Sequence, residues 1–258
     1  MQYGICTGLS NYEILEELGY DYIELSVTAT MALEESVREA YRKKMEASSI
    51  RCQAFNILFP KTMDLIGGGT KDEDLKEYLH QAMELIQSFG AQIAVFGSGK
   101  CRRCPDNMTY GDAYKRLTEV CWITGEIAKQ YGVNIVIEPL SRKETNLICT
   151  MAEGAILVED ISLENVGLLA DYYHVMSNHD SIGDIRTIRQ FGHIHIASAN
   201  GRRYPLSETN EAYRELYREL HAIGYNGRIS IEGKTENIRS DGADALKFLR
   251  GLEKEIYG

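Results

Sequence analysis

The chain of 258 residues predicts an α/β fold, a closed (β/α)8 barrel, on three observations. Eight short apolar or alternating runs are each followed by a stretch with helical spacing. No Pro/Ser-rich linker divides the sequence, so residues 1–258 read as one barrel domain. The first run leads into Cys6-Thr7-Gly8, too little for the Gly-rich phosphate loop that an open doubly wound sheet would usually carry.

Each element has its own signal. Tyr3–Cys6 predicts a short apolar strand, followed by helical spacing over Tyr12–Leu18. The run YDYIELS (Tyr20–Ser26) alternates as a second strand, and Ala32–Ser48 is charged and amphipathic. Ile50–Asn56 gives a third strand. The stretch Lys71–Phe89 then places Leu75, Tyr78, Leu79, Ala82, Leu85, Ile86 and Phe89 on one stripe at the 3.6 period. Gln92–Gly97 and Val133–Glu138 predict strands four and five, with helices over Tyr110–Tyr131 and Met151–Glu159. Val166–Asp171, Gly192–Ala197 and Arg228–Glu232 complete the strands, with helices near Ser181–Phe191, over Ser207–Ile223 and over Asp241–Ile256.

The chemistry collects where the later strands end, the face on which barrels of this kind carry active sites. The β-branched run from Val133 stops on Glu138, and Pro139 follows, which cannot continue a central ladder. Alone, a strand-tip Glu is more often the partner of a neighbouring cation, because a buried carboxylate needs one. The event recurs: strand six ends in Asp171, strand eight in Glu232, and strand seven carries His195 just before its end. Three carboxylates and one imidazole around one point suit a hard or borderline divalent cation. Mn²⁺, Co²⁺ or Mg²⁺ fit better than a structural zinc, since no thiolate is present, although Zn²⁺ stays admissible. His193, two residues before His195 on the same strand face, reads as core or as support for it.

Glu144 lies six residues past Glu138, His174 three past Asp171, and Asn200-Gly201-Arg202-Arg203 follows strand seven. Taken together, Glu138-Pro-Leu-Ser-Arg142-Lys-Glu144, Asp171-Tyr-Tyr-His174, Gly192-His-Ile-His195 and Ile231-Glu232 resemble the sugar isomerase/epimerase superfamily with the xylose-isomerase-like TIM barrel. In motif they are nearest to its ketose 3-epimerases of the D-tagatose/D-psicose type. The motifs cover the second half of the chain, and the βα count extends the likeness over all of it. The resemblance implies that Glu138, Asp171, His195 and Glu232 bind one divalent metal and that Glu138 and Glu232 double as the acid/base pair. It further implies that Glu144, His174 and an Arg after strand seven, here Arg202, hold a small sugar. Such chemistry removes a proton beside a ketone, stabilises the enediolate and returns a proton on the other face. The sequence departs from the epimerase pattern at Ala197-Ser198, where those enzymes usually have Gly-Glu, and at Gly201, where they have Arg.

A lyase of the inosose dehydratase type would use the same barrel and the same residues. A metal-dependent phosphodiesterase of the AP endonuclease type uses more His ligands than a chain with six His and a net charge of −10 offers. A non-catalytic sugar-binding barrel would be signalled by loss of Glu138 or Glu232, and both are present. The acidic balance also argues against a nucleic-acid partner, which normally meets a basic footprint. No apolar run reaches the ~18 residues of a membrane span.

Met1–Cys6 lacks the charged-then-apolar pattern of a signal peptide, and the six cysteines read as reduced thiols, so a cytoplasmic location is expected. Within this acidic chain the loops after strands four, five, seven and eight carry Lys100, Arg102, Arg103, Arg142, Arg202, Arg203 and Lys234. That basic rim predicts an anionic substrate, a sugar phosphate or a carboxylated polyol. Cys101-Arg-Arg-Cys104 is a lone CxxC with weak support for zinc or redox work, and Gly67–Gly69 reads as a flexible loop, a candidate lid. Pairing of barrels through their helices into a dimer or tetramer is expected.

Overall fold

Eight parallel strands pair in chain order and close on themselves: β1 (Gln2–Cys6), β2 (Tyr22–Ser26), β3 (Arg51–Asn56), β4 (Ile93–Phe96), β5 (Asn134–Ile137), β6 (Val166–Asp171), β7 (Phe191–Ile196) and β8 (Arg228–Ile231). The last strand returns to the first through Gln2 opposite Arg228 and Ile5 opposite Ile231. The structure, a computed structural model, describes residues 1–258. Around the barrel run α1 (Tyr12–Leu18), α2 (Val27–Met31), α3 (Glu35–Glu46), α4 (Asp72–Ser88), α5 (Tyr110–Gln130), α6 (Met151–Ile161), α7 (Tyr172–Ser177), α8 (Tyr213–Ala222) and α9 (Ile238–Tyr257).

The two faces of each strand meet different surroundings. Tyr3, Ile5, Ile135, Ile137, Ile194, Ile196, Ile229 and Ile231 point outward into the large core shared with the helices. The inward face is divided. On β3 to β6 it is apolar, a small cluster of Ala54, Ile93, Val95, Val136 and Leu169. On β7, β8 and β2 it is polar, with His193, His195, Ser230, Glu24 and Tyr22 all fully buried. Gly4 belongs to this half because a Cβ there would fall 2.4 Å from the Tyr22 ring.

The predicted α4 stripe is the buried one, with Leu75, Leu79, Ala82, Leu85 and Ile86 facing inward. Acidic Asp72, Glu73 and Asp74 sit in the first turn, where the helix dipole favours them. Besides α2, a short helix where none was expected, two elements differ from the sequence reading. Ser181–Phe191 holds no α-helix: Ile182–Thr187 forms a 3₁₀ turn, because Ile182, Ile185 and Ile188 bury themselves at a spacing of three. The α-helix of that unit is α7, which starts directly after Asp171.

Candidate active site

Four strand ends deliver four metal-capable side chains to one place. Single ligand atoms of Glu138, Asp171, His195 and Glu232 all lie within 4.8 Å of one another. Glu138 follows β5 and is 5% exposed, and room for it is made on β4's side by Gly97, whose Cβ would stand 2.2 Å from Glu138 Oε2. Asp171 ends β6 and works in two directions. Its Oδ1 accepts from the Tyr173 backbone N–H at 2.8 Å, capping α7, while Oδ2 faces the cluster. His195 Nδ1 lies 3.5 Å from both Glu138 Oε1 and Glu232 Oε2. Glu232 Oε1 is held by Asn56 Nδ2, which donates at 3.1 Å.

Glu138 Oε1 and His195 Nδ1 are buried without any hydrogen-bond partner in the protein. A bound ion is one way in which two such atoms facing the same point are satisfied. The donor set, three carboxylates and an imidazole, fits a divalent cation of the kind expected from the sequence.

A second layer sets the imidazole. Glu24, on β2 and fully buried, accepts from His193 Nε2 at 2.8 Å, from His195 Nε2 at 2.9 Å and from Ser230 Oγ at 2.5 Å. With His195 Nε2 held by Glu24, Nδ1 is the nitrogen turned toward Glu138 and Glu232, the arrangement by which carboxylates orient ligating histidines. Burial alone would raise the Glu24 carboxyl, yet the imidazoles of His195 and His193 outweigh it and hold it below the ordinary carboxylate range. Burial likewise opposes a charged His195, and Glu24, Cys6 and Glu232 overcome it and raise that imidazole. Glu24 gives little sign of itself in the alternating run YIELS, where it passes for a solvent-facing residue. The available signal is that parallel barrel strands are covered on both faces, so a mid-strand Glu must be inside.

The three expected substrate-binding residues lie next to the cluster. The Ser141 backbone N–H donates to His174 Nδ1 at 3.0 Å, so the neutral ring carries its hydrogen on Nε2. That nitrogen faces Asp171 Oδ2 at 3.5 Å and Glu138 Oε1 at 3.9 Å. Arg202 Nη2 contacts Asp171 Oδ2 at 3.2 Å and also Glu232, while Nη1 lies 3.4 Å from Glu144 Oε1. Its guanidinium sits 4.9 Å over the Tyr173 ring.

Arg202 adopts φ +53°, an uncommon conformation for a residue with a side chain. Its backbone N–H donates to Ser198 O at 3.1 Å and its carbonyl accepts from the Lys234 N–H at 2.7 Å. Burial moves the Glu138 and Asp171 carboxyls upward, Asp171 to about 6. At Glu232 burial is outweighed by His195 and Arg202, which bring it down to about 2.

Above the cluster opens a cavity of about 1010 Å³ lined by Glu138, His174, Arg202, Glu232 and Glu144 among others. Of the predicted basic rim, Lys100, Arg103, Arg202 and Lys234 line it, joined by Lys61 and Lys143. Arg102 is a correction to that rim. It is fully buried, it donates to the Glu138 carbonyl, and it lies 5.7 Å from the Phe96 ring. That contact braces the end of β5. The CxxC cysteines are free thiols with separate partners: Cys101 Sγ donates to Pro60 O at 3.0 Å and Cys104 Sγ to Met108 O at 3.5 Å. The predicted glycine loop is pinned to Asp64, which accepts from the N–H groups of Gly67 at 2.7 Å and Gly69 at 3.2 Å.

Known proteins resemble this chain in both sequence and fold. D-psicose 3-epimerase of Agrobacterium fabrum is 33% identical over 129 residues, 49% of this chain and 44% of that enzyme. The chain thus spans less than half the length of this relative. 3-Dehydro-D-guloside 4-epimerase of Escherichia coli is 23% identical over 257 residues, 94% of each chain. Among solved structures, a D-psicose 3-epimerase crystallised in the presence of D-fructose superposes with a TM-score of 0.83 at 22% identity, covering 100% of both chains. That likeness speaks for the fold. The family model described as xylose isomerase-like TIM barrel matches residues 12–252, and the chain belongs to that family.

Proposed function

We propose that this protein is a divalent-metal-dependent epimerase acting on a ketose or a ketose derivative. The observation that carries the reading is the pair Glu138 and Glu232, each 3.5 Å from His195 Nδ1 and both lining the cavity. Inverting a carbon beside a ketone requires a proton to leave one face and another to arrive on the opposite face. Two carboxylates from β5 and β8, with the sugar between them, supply a base and an acid for this. A cation held by Glu138, Asp171, His195 and Glu232 would supply positive charge beside the ketone oxygen. His174 Nε2–H and Arg202 would donate hydrogen bonds to the sugar's oxygens, and Glu144 would accept from a hydroxyl while restraining Arg202.

An anionic group on the sugar derivative is supported by the charges around the cavity. Lys61, Lys100, Lys143 and Lys234, from four separate loops, all line this one opening. Cations gathered on one opening of an acidic protein attract an anion.

The test is incubation with Mn²⁺ in D₂O of a panel of ketoses, ketose phosphates, keto-acids and inososes. Deuterium appearing at the inverted carbon supports epimerisation, and loss of water instead would assign a lyase. Glu138→Gln and Glu232→Gln are each expected to lower exchange by at least about 10²-fold. Exchange surviving in the double variant would remove the acid/base assignment.

A further inference from the structure

The ligating side chains occupy only one side of the cavity, the ends of β5 to β8. The rest of the space runs over the ends of β1 to β3, and its total of about 1010 Å³ lies at the top of the ~300–1,000 Å³ range of pockets for drug-sized ligands. A six-carbon sugar would leave most of it empty. One stretch of the remaining wall is apolar. Leu33, Val37 and Tyr41 recur at every fourth position and so present one face of α3 and its lead-in to the cavity. Ile57 and Phe59 join them from the segment after β3.

Three of these side chains are also open to solvent. Leu33, Val37 and Ile57 are 37%, 38% and 44% exposed, and these three of the seven exposed large hydrophobics gather in one cavity. Ile57 has φ +49°, a left-handed conformation that a β-branched residue adopts only under strain. Strain of this kind is concentrated at ligand clamps and active sites. A solvated apolar wall continuous with a catalytic floor has a natural occupant in the molecule that reaches that floor.

We infer that the wall formed by Leu33, Val37, Tyr41 and Ile57 is a subsite for an apolar substituent on the sugar, so that the substrate is a substituted ketose. This rests on the epimerase reading for the ketose itself, while the subsite stands on the wall alone. The substituent's apolar part lies against α3, and any charged group it carries reaches the lysine rim.

The experiment compares D-fructose with its 1-O-benzyl and 6-O-benzyl ethers, neutral probes that add only an apolar ring. Binding to the Mn²⁺-supplemented protein is measured by calorimetry, and turnover is followed in parallel. At least one ether is expected to bind about tenfold or more tighter than D-fructose, as burial of one aromatic ring provides. The double variant Leu33→Ser, Val37→Ser changes two part-exposed positions, and it is expected to bring the affinity ratio down to near one. Equal binding of all three sugars by the native protein would overturn the subsite. So would a double variant that keeps the ratio but changes the sedimentation coefficient, because the wall would then be a contact between subunits. A preserved ratio in the native protein with no exchange on any ketose would support the subsite and sink the epimerase reading.

Discussion

Glu24 shows how one residue organises the site from beneath. Its carboxylate accepts from two imidazoles and a hydroxyl, all fully buried, and through His195 it fixes which nitrogen faces the three outer carboxylates. Glu24→Gln keeps the shape but removes the charge that orients the ring. It is expected to weaken Mn²⁺ binding by about 10- to 100-fold, the usual scale for the partner of a ligating His. Titration calorimetry reads this directly, and an unchanged affinity would show that His195 needs no such partner. Glu24→Ala is the poorer choice, because leaving buried imidazoles without their acceptor costs about 3–5 kcal/mol of stability. The four outer residues were legible because each interrupts or ends an apolar run. Glu24 sits in mid-strand and needs the closed barrel to explain it. Arg102 was misplaced for a related reason: two adjacent arginines in a loop look alike in sequence, and only packing distinguishes the buried brace from the rim.

At the scale of elements, the strands could be read because β-branched runs and their breaks coincide with the barrel's ladder. The short helix α7 could not. It has six residues, two of them aromatic, and its start depends on a cap from Asp171, a side chain whose other oxygen serves the site. Its end matters as much. Asn178 donates through Nδ2 to Leu140 O at 3.1 Å and Cys149 O at 2.7 Å, and its Oδ1 accepts from the Arg142 N–H at 3.0 Å. One side chain therefore fastens α7 to both ends of the loop that carries Glu144. Asn178→Ala removes three hydrogen bonds of ~0.5–1.5 kcal/mol each. A net loss of about 2 kcal/mol is expected, lowering Tm by roughly 4–8 °C for a domain of this size. A thermal melt within a degree of the parent would mean that water replaces Asn178 without loss.

The whole molecule sets a long-range field that neither single residues nor elements reveal. The chain carries a net charge of −10, yet Lys61, Lys100, Lys143 and Lys234 stand around the same opening. Composition alone gave the acidic total. The gathering of cations from the loops after β3, β4, β5 and β8 needs the closed barrel, which brings separate stretches of sequence to one rim. Cations around a cavity guide an anionic substrate only while salt does not screen them. Raising ionic strength from ~0.01 M to ~0.15 M shortens the screening length from ~30 Å to ~8 Å. For a ketose phosphate or keto-acid, kcat/KM is therefore expected to fall by about tenfold over that range, and for a neutral ketose it should stay nearly flat. Lys100→Gln combined with Lys143→Gln should remove most of the salt dependence for the anion. If the neutral and anionic sugars respond alike to salt, the lysine rim has no part in selecting the substrate, and the anionic derivative drops out of the proposed function.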